Sequence, residues 1–297
     1  MVNMLEGRVA VVTGAGNGLG RAEAIGLAAQ GARVVVNDIG TSHDGFGVSH
    51  DPADLVVETI KNAGGTAVPN YDSVADEDGA KNIIQTAIDS FGRIDVLINN
   101  AGILRIQPVY EIPTEDWEAV IRTHLYGTFY CTRSASAIMK EQGYGRIINT
   151  SSHIGLGFQG QSTYSAAKEG IVGFSRSVAR DMASFGVTCN VIRPIAAWRG
   201  TSVKIEQFEA SLPEDIAALV VYLASEAADH INGCIFEVYR GHVGIFTDPP
   251  PVNQVLWKDG RWTSEELMKA IPETLTKERS REDLPYTLPF KLGAPDD

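Results

Sequence analysis

Four residues in this sequence have the types and spacing to do chemistry together: Tyr164, Lys168 and an upstream pair, Ser151 and Ser152. On a helix, residues four positions apart share a face at about 5–6 Å, so an ammonium would lie beside a phenol. A nearby cation lowers the pKa of a tyrosine from its ordinary value near ~10. Such a tyrosine can exchange a proton with a substrate oxygen near neutral pH, although this spacing also occurs on helices by chance.

The first thirty residues predict the element that would bring a cofactor to this pair. The apolar run 8–13 is typical of a buried strand, and a glycine-rich turn and an alanine-rich helix follow it. This order is the context of a dinucleotide-binding fingerprint, because glycines let the backbone approach a pyrophosphate and a helix N-terminus offers free N–H groups. The cofactor contacts predicted here are Gly14, Asn17, Gly18, Leu19 and Gly20.

An acidic residue, Asp38, ends the second predicted strand. Its distance along the chain from the glycine turn is close to the ~20 residues that the fingerprint expects. A carboxylate there can accept hydrogen bonds from a ribose 2′-OH and would repel a 2′-phosphate. The sequence therefore predicts NAD rather than NADP, although an aspartate also suits an ordinary turn.

Strand-like apolar runs alternate with helical stretches through most of the 297 residues. The alternation predicts an α/β fold, with a single Rossmann-type doubly wound parallel sheet of about seven strands flanked by helices. Residues 1–242 are expected to form this domain, and residues 243–297 a C-terminal extension that packs on the core or on a neighbouring subunit. The predicted strands are residues 8–13, 33–37, 66–70, 94–98, 145–150, 187–192 and 234–238.

Charge and composition narrow the range of partners. The formal net charge of −12 disfavours nucleic acid and anionic membrane surfaces. No apolar run approaches the ~18 residues of a membrane span. The three cysteines, Cys131, Cys189 and Cys234, lack metal-ligand spacing, so we expect no metal and thiols in a reducing compartment. No secretory signal or peroxisomal tripeptide is evident, and a cytoplasmic location is expected.

Four motifs occur in order: Thr13-Gly-Ala-Gly-Asn-Gly-Leu-Gly20, Asn99-Asn-Ala-Gly102, the serine pair, and Tyr164-x-x-x-Lys168. With them, residues 4 to about 242 resemble the short-chain dehydrogenase/reductase family. Within it the chain is most similar to the branch that holds the (3R)-hydroxyacyl-CoA dehydrogenase domains of peroxisomal multifunctional enzymes type 2 and their bacterial relatives. The supporting runs are Val34-Val-Val-Asn-Asp38, Asn70-Tyr-Asp-Ser-Val74, Phe91-Gly-Arg-Ile-Asp95 and Tyr144-Gly-Arg-Ile-Ile148.

The resemblance implies a hydride-transfer site with Tyr164 as the acid/base. Lys168 would lower the pKa of the phenol and hydrogen-bond the nicotinamide ribose, and a serine hydroxyl would hold the substrate oxygen. Ser152 begins the family's Ser-x-x-Gly pattern but stands twelve residues before Tyr164, where thirteen is usual, and Ser151 stands at thirteen. We favour Ser152, because a one-residue deletion in the loop 156–160 explains its spacing, and keep Ser151 as the alternative.

The resemblance also implies cofactor contacts at the ends of other strands. They are Asn99 and Gly102, which would line the ribose and support the sheet, Ala101 between them, Ser73 and Val74 at the adenine, and Pro194 and Ile195 at the nicotinamide carboxamide. Asp72 is an alternative at the adenine, because the register there is open. His124 stands where the wider family has an asparagine that helps hold a water chain from the lysine. A histidine can join such a relay, or it can hold a helix through a backbone bond.

Two segments depart most from the family pattern. Residues 40–54 carry two Ser-His-Asp triplets, which we interpret as a loop, because a catalytic triad is assembled across a fold rather than from consecutive residues. Residues 196–212 are expected to form a substrate lid, in which Trp198 and Phe208 contact either a hydrophobic substrate or the core. An anionic acyl-CoA conflicts with the acidic composition, and the basic residues able to relieve this are Arg105, Arg193 and Arg199.

The sequence thus predicts an NAD-dependent oxidoreductase that interconverts a secondary alcohol and a ketone. A (3R)-3-hydroxyacyl-CoA is the leading substrate, and a steroid or other lipophilic alcohol is the alternative. A non-catalytic dinucleotide sensor is the alternative from another class, but the presence of both Tyr164 and Lys168 argues for catalysis. The resemblance implies a homodimer or homotetramer.

Overall fold

Eight strands form one sheet in the ranges that the computed structural model describes, residues 3–196, 211–247, 252 and 254–277. The strands are β1 (Val9–Thr13), β2 (Arg33–Asn37), β3 (Thr66–Asn70), β4 (Val96–Asn99), β5 (Gly145–Thr150), β6 (Val187–Pro194), β7 (Ile235–Tyr239) and β8 (His242–Ile245). They lie in the order β3-β2-β1-β4-β5-β6-β7-β8. All neighbours are parallel except β7 and β8. The predicted fold class is confirmed.

Helices cover both faces of the sheet. Its buried side chains form two clusters, one under α1, α2 and α7 and one under α3, α5 and α6. No helix of the described ranges is long and apolar enough to cross a membrane. The helices are α1 (Gly18–Ala29), α2 (Asp51–Asn62), α3 (Glu77–Phe91), α4 (Thr114–Ile121), α5 (Gly127–Gln142), α6 (Ser162–Met182), α7 (Pro213–Ala224) and α8 (Ser264–Glu273).

The continuous apolar sequence of β1 is explained by the helices on both faces of the sheet. In β1, Val9 and Val11 pack with one cluster while Ala10 and Val12 pack with the other. All four side chains have no exposed surface. Because successive side chains alternate between faces, a strand covered on both sides needs an apolar residue at each position.

The edge strand β8 was not predicted. It pairs with β7 through a tight turn at Arg240 and Gly241, where the glycine has φ +67°. Its Val243 and Ile245 are exposed, so the strand lacks the continuous apolar signal of the others. β8 starts at residue 242, the predicted end of the Rossmann-type domain. The contacts within the chain divide it into two units, with the boundary between Phe246 and Thr247.

The second unit, which begins at Thr247, contains α8. Thr263 Oγ1 accepts a hydrogen bond from Glu266 N, and the Glu266 carboxylate accepts one from Thr263 N. These two bonds form a capping box that starts the helix. Packing of this extension on the core or on another subunit stays a prediction.

The strand order reverses between β1 and β4, which are neighbours although β2 and β3 come between them in sequence. Ligands of open α/β sheets bind outside the carboxyl ends of the strands at such a switch point. The glycine turn follows β1, Asn99 ends β4 and the serine pair follows β5. The sheet therefore brings the main predicted motifs to one edge.

Candidate active site

The two serines after β5 face different partners. Ser151 is buried, and its Oγ donates to the carbonyl of Lys168 at 2.9 Å. Ser152 lies close enough to Tyr164 to lower the pKa of the phenol, and its Oγ accepts a hydrogen bond from Ile154 N at 3.1 Å. Adjacent side chains on extended backbone point in opposite directions, which explains why the two serines have different partners. The geometry favours Ser152 as the substrate-facing hydroxyl, and its role stays a prediction.

Tyr164 and Lys168 lie one turn apart near the start of α6. The ammonium of Lys168 is 5.4 Å from the phenol ring centroid and donates to the carbonyl of Thr150 at 2.7 Å. Burial lowers the pKa of Lys168 to about 7. Burial also raises the pKa of Tyr164 to about 12, opposed only by the hydrogen bond with Ser152.

The expected lowering of the Tyr164 pKa by Lys168 is therefore wrong for this structure. The desolvation of the phenolate outweighs the cation, whose own charge is disfavoured by the same burial. The phenol is neutral at neutral pH and retains its proton, the form that donates to a ketone oxygen.

His124 packs edge-on against Tyr164, with ring centroids 5.1 Å apart. Its Nε2 lies 2.7 Å from the carbonyl oxygen of Ile103, and its Nδ1 has no hydrogen-bond partner within the described residues. Burial, followed by the charge of Lys168, lowers the pKa of His124 to about 3. The imidazole ring is therefore neutral and bonds the backbone of Ile103. This agrees with the second of the two roles expected for His124, a structural bond to the backbone. Participation in a relay stays a prediction.

The glycine turn lies so close to the segment after β4 that its inner positions have no room for side chains. A Cβ on Gly14 would lie 2.7 Å from Cα of Ala101, and one on Gly20 would lie 2.3 Å from the carbonyl oxygen of Gly14. Gly18, at φ +52°, has no atom within 4 Å of its Cβ position. The turn is thus closed on its inner side and open at Gly18, where α1 begins.

Asn100 is a site residue that the sequence analysis missed. Its Nδ2 donates to the carbonyls of Thr13 and Gly14, both at 3.1 Å, and so holds the glycine turn in place. The doubled asparagine at 99–100 was a usable signal, because a turn side chain with two donors can satisfy the carbonyls of a neighbouring turn.

Asn99 points into the core rather than toward the turn. Its Nδ2 donates to Thr132 Oγ1 at 3.0 Å and to Asn149 Oδ1 at 2.8 Å, which ties β4 to β5. The expected support of the sheet is present. At Gly102 a Cβ would lie 2.3 Å from Cε1 of His124, so only glycine fits beside that ring.

The remaining predicted cofactor residues lie at strand ends. Val74, Asn99 and Ala101 line one small cleft, together with Thr13, Thr123, Gly127 and Thr128. Ser73, outside that lining, accepts a hydrogen bond from Ala75 N at 3.2 Å. Beside β1, both carboxylate oxygens of Asp38 accept backbone bonds at 2.7 Å, from Gly16 N and Gly40 N.

The start of α1 leaves its N–H groups available. Asn17 precedes the helix without a side-chain capping bond, and the first turn contains no acidic residue. Leu19 is partly buried against the core. Pro194 ends β6, and Ile195 N donates to the carbonyl of Val238 at 3.0 Å. The expected lid residues Trp198 and Phe208 lie outside the described residues, as does Arg199.

Loop 40–54 contains no triad. Ser42 bonds Asp44 within its own turn, and His50 stacks on Tyr71 at 3.8 Å between ring centroids. In the described ranges no group of three His, Cys, Asp or Glu side chains could hold a metal ion. The loop interpretation agrees with the structure for residues 40–50 and is wrong for residues 51–54, which form the first turn of α2.

Comparison with known proteins identifies the family. Residues 8–209 match the short chain dehydrogenase family model. The chain belongs to the short chain dehydrogenase family. It is 49% identical to the peroxisomal multifunctional enzyme type 2 of Drosophila melanogaster over 80% of this chain, but spans only 39% of that enzyme.

Two further relatives match over nearly their whole length. A hydroxyacyl-CoA dehydrogenase of Mycobacterium tuberculosis is 38% identical over 90% of this chain and 88% of the relative. The crystal structure of a short chain dehydrogenase from Mycobacterium avium superposes with a TM-score of 0.82 at 42% identity, over 93% of this chain and 97% of that one. This protein is an oxidoreductase of that family.

The residues present fit a nicotinamide dinucleotide. The open face at Gly18 and the unoccupied N–H groups of α1 suit a pyrophosphate, and Asp38 beside Gly16 suits a ribose. When bound, such a cofactor accepts or supplies the hydride. In the predicted roles, the Ser152 hydroxyl would hold a substrate oxygen and the Tyr164 phenol would exchange its proton.

We expect Ser152→Ala to lower turnover about 10²–10³-fold, because a hydrogen bond to the reacting oxygen is lost. Ser151→Ala is the matched control. It removes the bond to the Lys168 carbonyl, so it should cost about 1 kcal/mol of stability with a much smaller loss of turnover. Steady-state kinetics and urea unfolding of both variants measure this. Equal turnover of Ser152→Ala and wild type would contradict the assignment.

His124 should make stability pH-dependent. Its native pKa near 3 lies below the unfolded value near ~6.5, so below pH ~6.5 the unfolded chain binds a proton that the native state excludes. The free energy of unfolding should therefore fall by up to ~1.4 kcal/mol per pH unit as pH drops from about 6 toward 4. In His124→Gln this contribution should vanish. Urea unfolding from pH 8 to 4 tests it, with His230→Gln, at an exposed site, as control; identical slopes in wild type and His124→Gln would refute it.

Proposed function

We propose that this short chain dehydrogenase interconverts a secondary alcohol and a ketone with NAD, on a substrate of the (3R)-3-hydroxyacyl-CoA type. The observation that carries the reaction is the proximity of the Ser152 side chain to the Tyr164 phenol, close enough to lower its pKa, at the edge of the sheet where the glycine turn opens. Two hydroxyls in contact, one of them a neutral phenol, can bind one substrate oxygen and exchange its proton.

The preference for NAD rests on Asp38. Its carboxylate lies against the glycine turn, with Oδ2 2.7 Å from Gly16 N. A Cβ at Gly16 would lie 2.7 Å from the same oxygen, so the acid and the turn are in direct contact. A 2′-phosphate bound at this turn would meet a negative charge, whereas a 2′-OH would meet an acceptor.

Support for the substrate class comes from relatives. One relative that matches over most of its length is named a hydroxyacyl-CoA dehydrogenase. Of the basic residues expected to relieve the charge conflict, the two that the structure describes are already paired, since Arg105 bonds Asp116 and Arg193 bonds Glu169. In this proposal the substrate is recognised mainly through its acyl part and its oxygen.

A lipophilic alcohol is the second candidate, and one observation favours it. Three apolar side chains are exposed in the chain segment between β4 and α4: Ile106, Val109 and Tyr110. Ile106 Cγ2 lies 3.3 Å from the Cβ position of Gly160, four residues before Tyr164. A bulky apolar substrate would find apolar surface near the phenol. A homo-oligomer and a cytoplasmic location remain expectations.

The decisive test is turnover of purified protein with NAD and a panel of alcohols. We expect the highest kcat/KM with (3R)-3-hydroxyacyl-CoAs, little with their (3S) isomers, and no turnover by Tyr164→Phe. Highest kcat/KM with steroid alcohols would favour the second candidate. NADH binding, followed by fluorescence, without turnover of any alcohol or ketone would instead support a sensor.

Replacing Asp38 tests cofactor choice separately. Asp38→Ser should shift the ratio of kcat/KM for NAD over NADP by roughly 10²-fold toward NADP, because it removes both an acceptor for the 2′-OH and a repulsive charge, each worth about 1–2 kcal/mol. Asp51→Ser removes an exposed acid near the same turn and should leave the ratio unchanged. A wild-type enzyme that prefers NADP would overturn the assignment.

A further inference from the structure

An arginine occupies a position in β6 where the strand pattern calls for an apolar side chain. Val191 packs with Val172 of α6, and Ile192 packs on the opposite face of the sheet. By alternation, Arg193 points to the α6 side. Its side chain is only 3% exposed. The residue is thus a cation buried between the sheet and α6.

The guanidinium joins two parts of the candidate active site. Arg193 Nη1 donates to the carbonyl of Ser152 at 3.1 Å, and Nη2 donates to Glu169 Oε1 at 2.7 Å. Glu169 follows Lys168 in α6, so one rigid fork connects the serine backbone to the helix that carries the phenol and the ammonium. Arginine suits this task because its donors are fixed in one plane.

The turn after Ser152 is shaped for this contact. A Cβ on Gly155 would lie 2.8 Å from Glu169 Oε1, so glycine leaves room for the carboxylate. The carbonyl of Ile154 accepts a hydrogen bond from Ser165 Oγ of α6 at 2.7 Å. The turn is therefore held to α6 at both its beginning and its middle.

The ion pair with Glu169 does not by itself explain the arginine. Glu169 is 42% exposed at the side chain, so solvent weakens its attraction for the cation, while Arg193 bears the full desolvation cost. A buried ion pair often contributes no more than a well-packed apolar residue of similar volume. What an apolar residue cannot do is donate to the Ser152 carbonyl.

We infer that Arg193 is a positioning residue that fixes the Ser152 hydroxyl against Tyr164 and so sets the rate of the reaction. This inference rests on the proposed function, because it needs Ser152 to contact the substrate oxygen. The predicted contacts of the pyrophosphate and of the ribose at Asp38 follow β1 and β2, and the side chain of Arg193 points to the opposite face of the sheet from that of its neighbour Pro194. Replacing Arg193 should therefore act on turnover and leave cofactor binding intact.

The test compares Arg193→Met, Arg193→Lys and Ser152→Ala with the wild type. We expect Arg193→Met to lower kcat roughly 10²-fold with the KM for NAD unchanged, since small misplacement of a reacting group has effects of this size. Arg193→Lys should be intermediate, because lysine keeps the charge but lacks the fork. The control is Arg8→Met. Arg8 is another part-buried arginine, paired with Asp95 at the amino end of β1, whereas the site lies at the carboxyl ends of the strands. This variant should keep the wild-type kcat.

The pH profile of kcat/KM provides a readout that lost stability would not move. The nearby side chain of Ser152 lowers the pKa of Tyr164, so loosening Ser152 should move the alkaline rise of alcohol oxidation to higher pH. The shift is expected in Ser152→Ala and Arg193→Met but not in Arg8→Met. The other titratable groups beside the turn, His153, Glu237 and His242, are present in every variant.

The outcomes separate this inference from the proposed function. Wild-type kcat and pH midpoint in Arg193→Met, with Ser152→Ala impaired, would overturn the positioning role alone. Wild-type activity in Ser152→Ala would overturn both. If Arg193→Met does not fold, as judged by NADH binding, Arg193→Lys carries the test. Reduced kcat with a raised midpoint then supports the role, and wild-type values overturn it.

Discussion

The site depends on a reciprocal pair of hydrogen bonds between the end of β5 and the start of α6. Lys168 Nζ donates to the Thr150 carbonyl, and Ser151 Oγ donates to the Lys168 carbonyl. Both donors are buried, so breaking either bond would leave a polar group without water. Because the strand end and the helix lock each other, Ser152 and Tyr164 meet although the loop between them has an unusual length.

The cofactor side of the site is set by a second constraint, the absence of side chains. Gly14 and Gly20 leave no room for a Cβ where the turn meets the segment after β4, and Asn100 binds the carbonyls exposed by that approach. Asn99, the preceding residue, bonds Asn149 on β5. One dipeptide therefore joins the glycine turn to the strand that bears the serines, which makes both halves of the site one rigid edge.

The parts that could be predicted from sequence are those encoded locally. The strands β1, β2 and β4 carry continuous apolar runs because both faces of the sheet are covered, and the Tyr164–Lys168 spacing needs only one helical turn. The pKa of Tyr164 was mispredicted because desolvation depends on everything packed around the phenol, which spacing does not contain. The strand β8 was missed because its exposed Val243 and Ile245 resemble any surface segment.

The structure also explains why the reaction is easier to infer than the substrate. Residues that serve the chemistry are tied to backbone carbonyls and amides, whose positions the fold determines. Two of the three charges that suited an acyl-CoA are paired within the protein, Arg105 with Asp116 and Arg193 with Glu169. An anionic ligand would have to compete with those carboxylates. The exposed side chain of Ile106 has no such competitor, so under the proposed function selectivity on this face would follow the shape and size of the acyl or ring system.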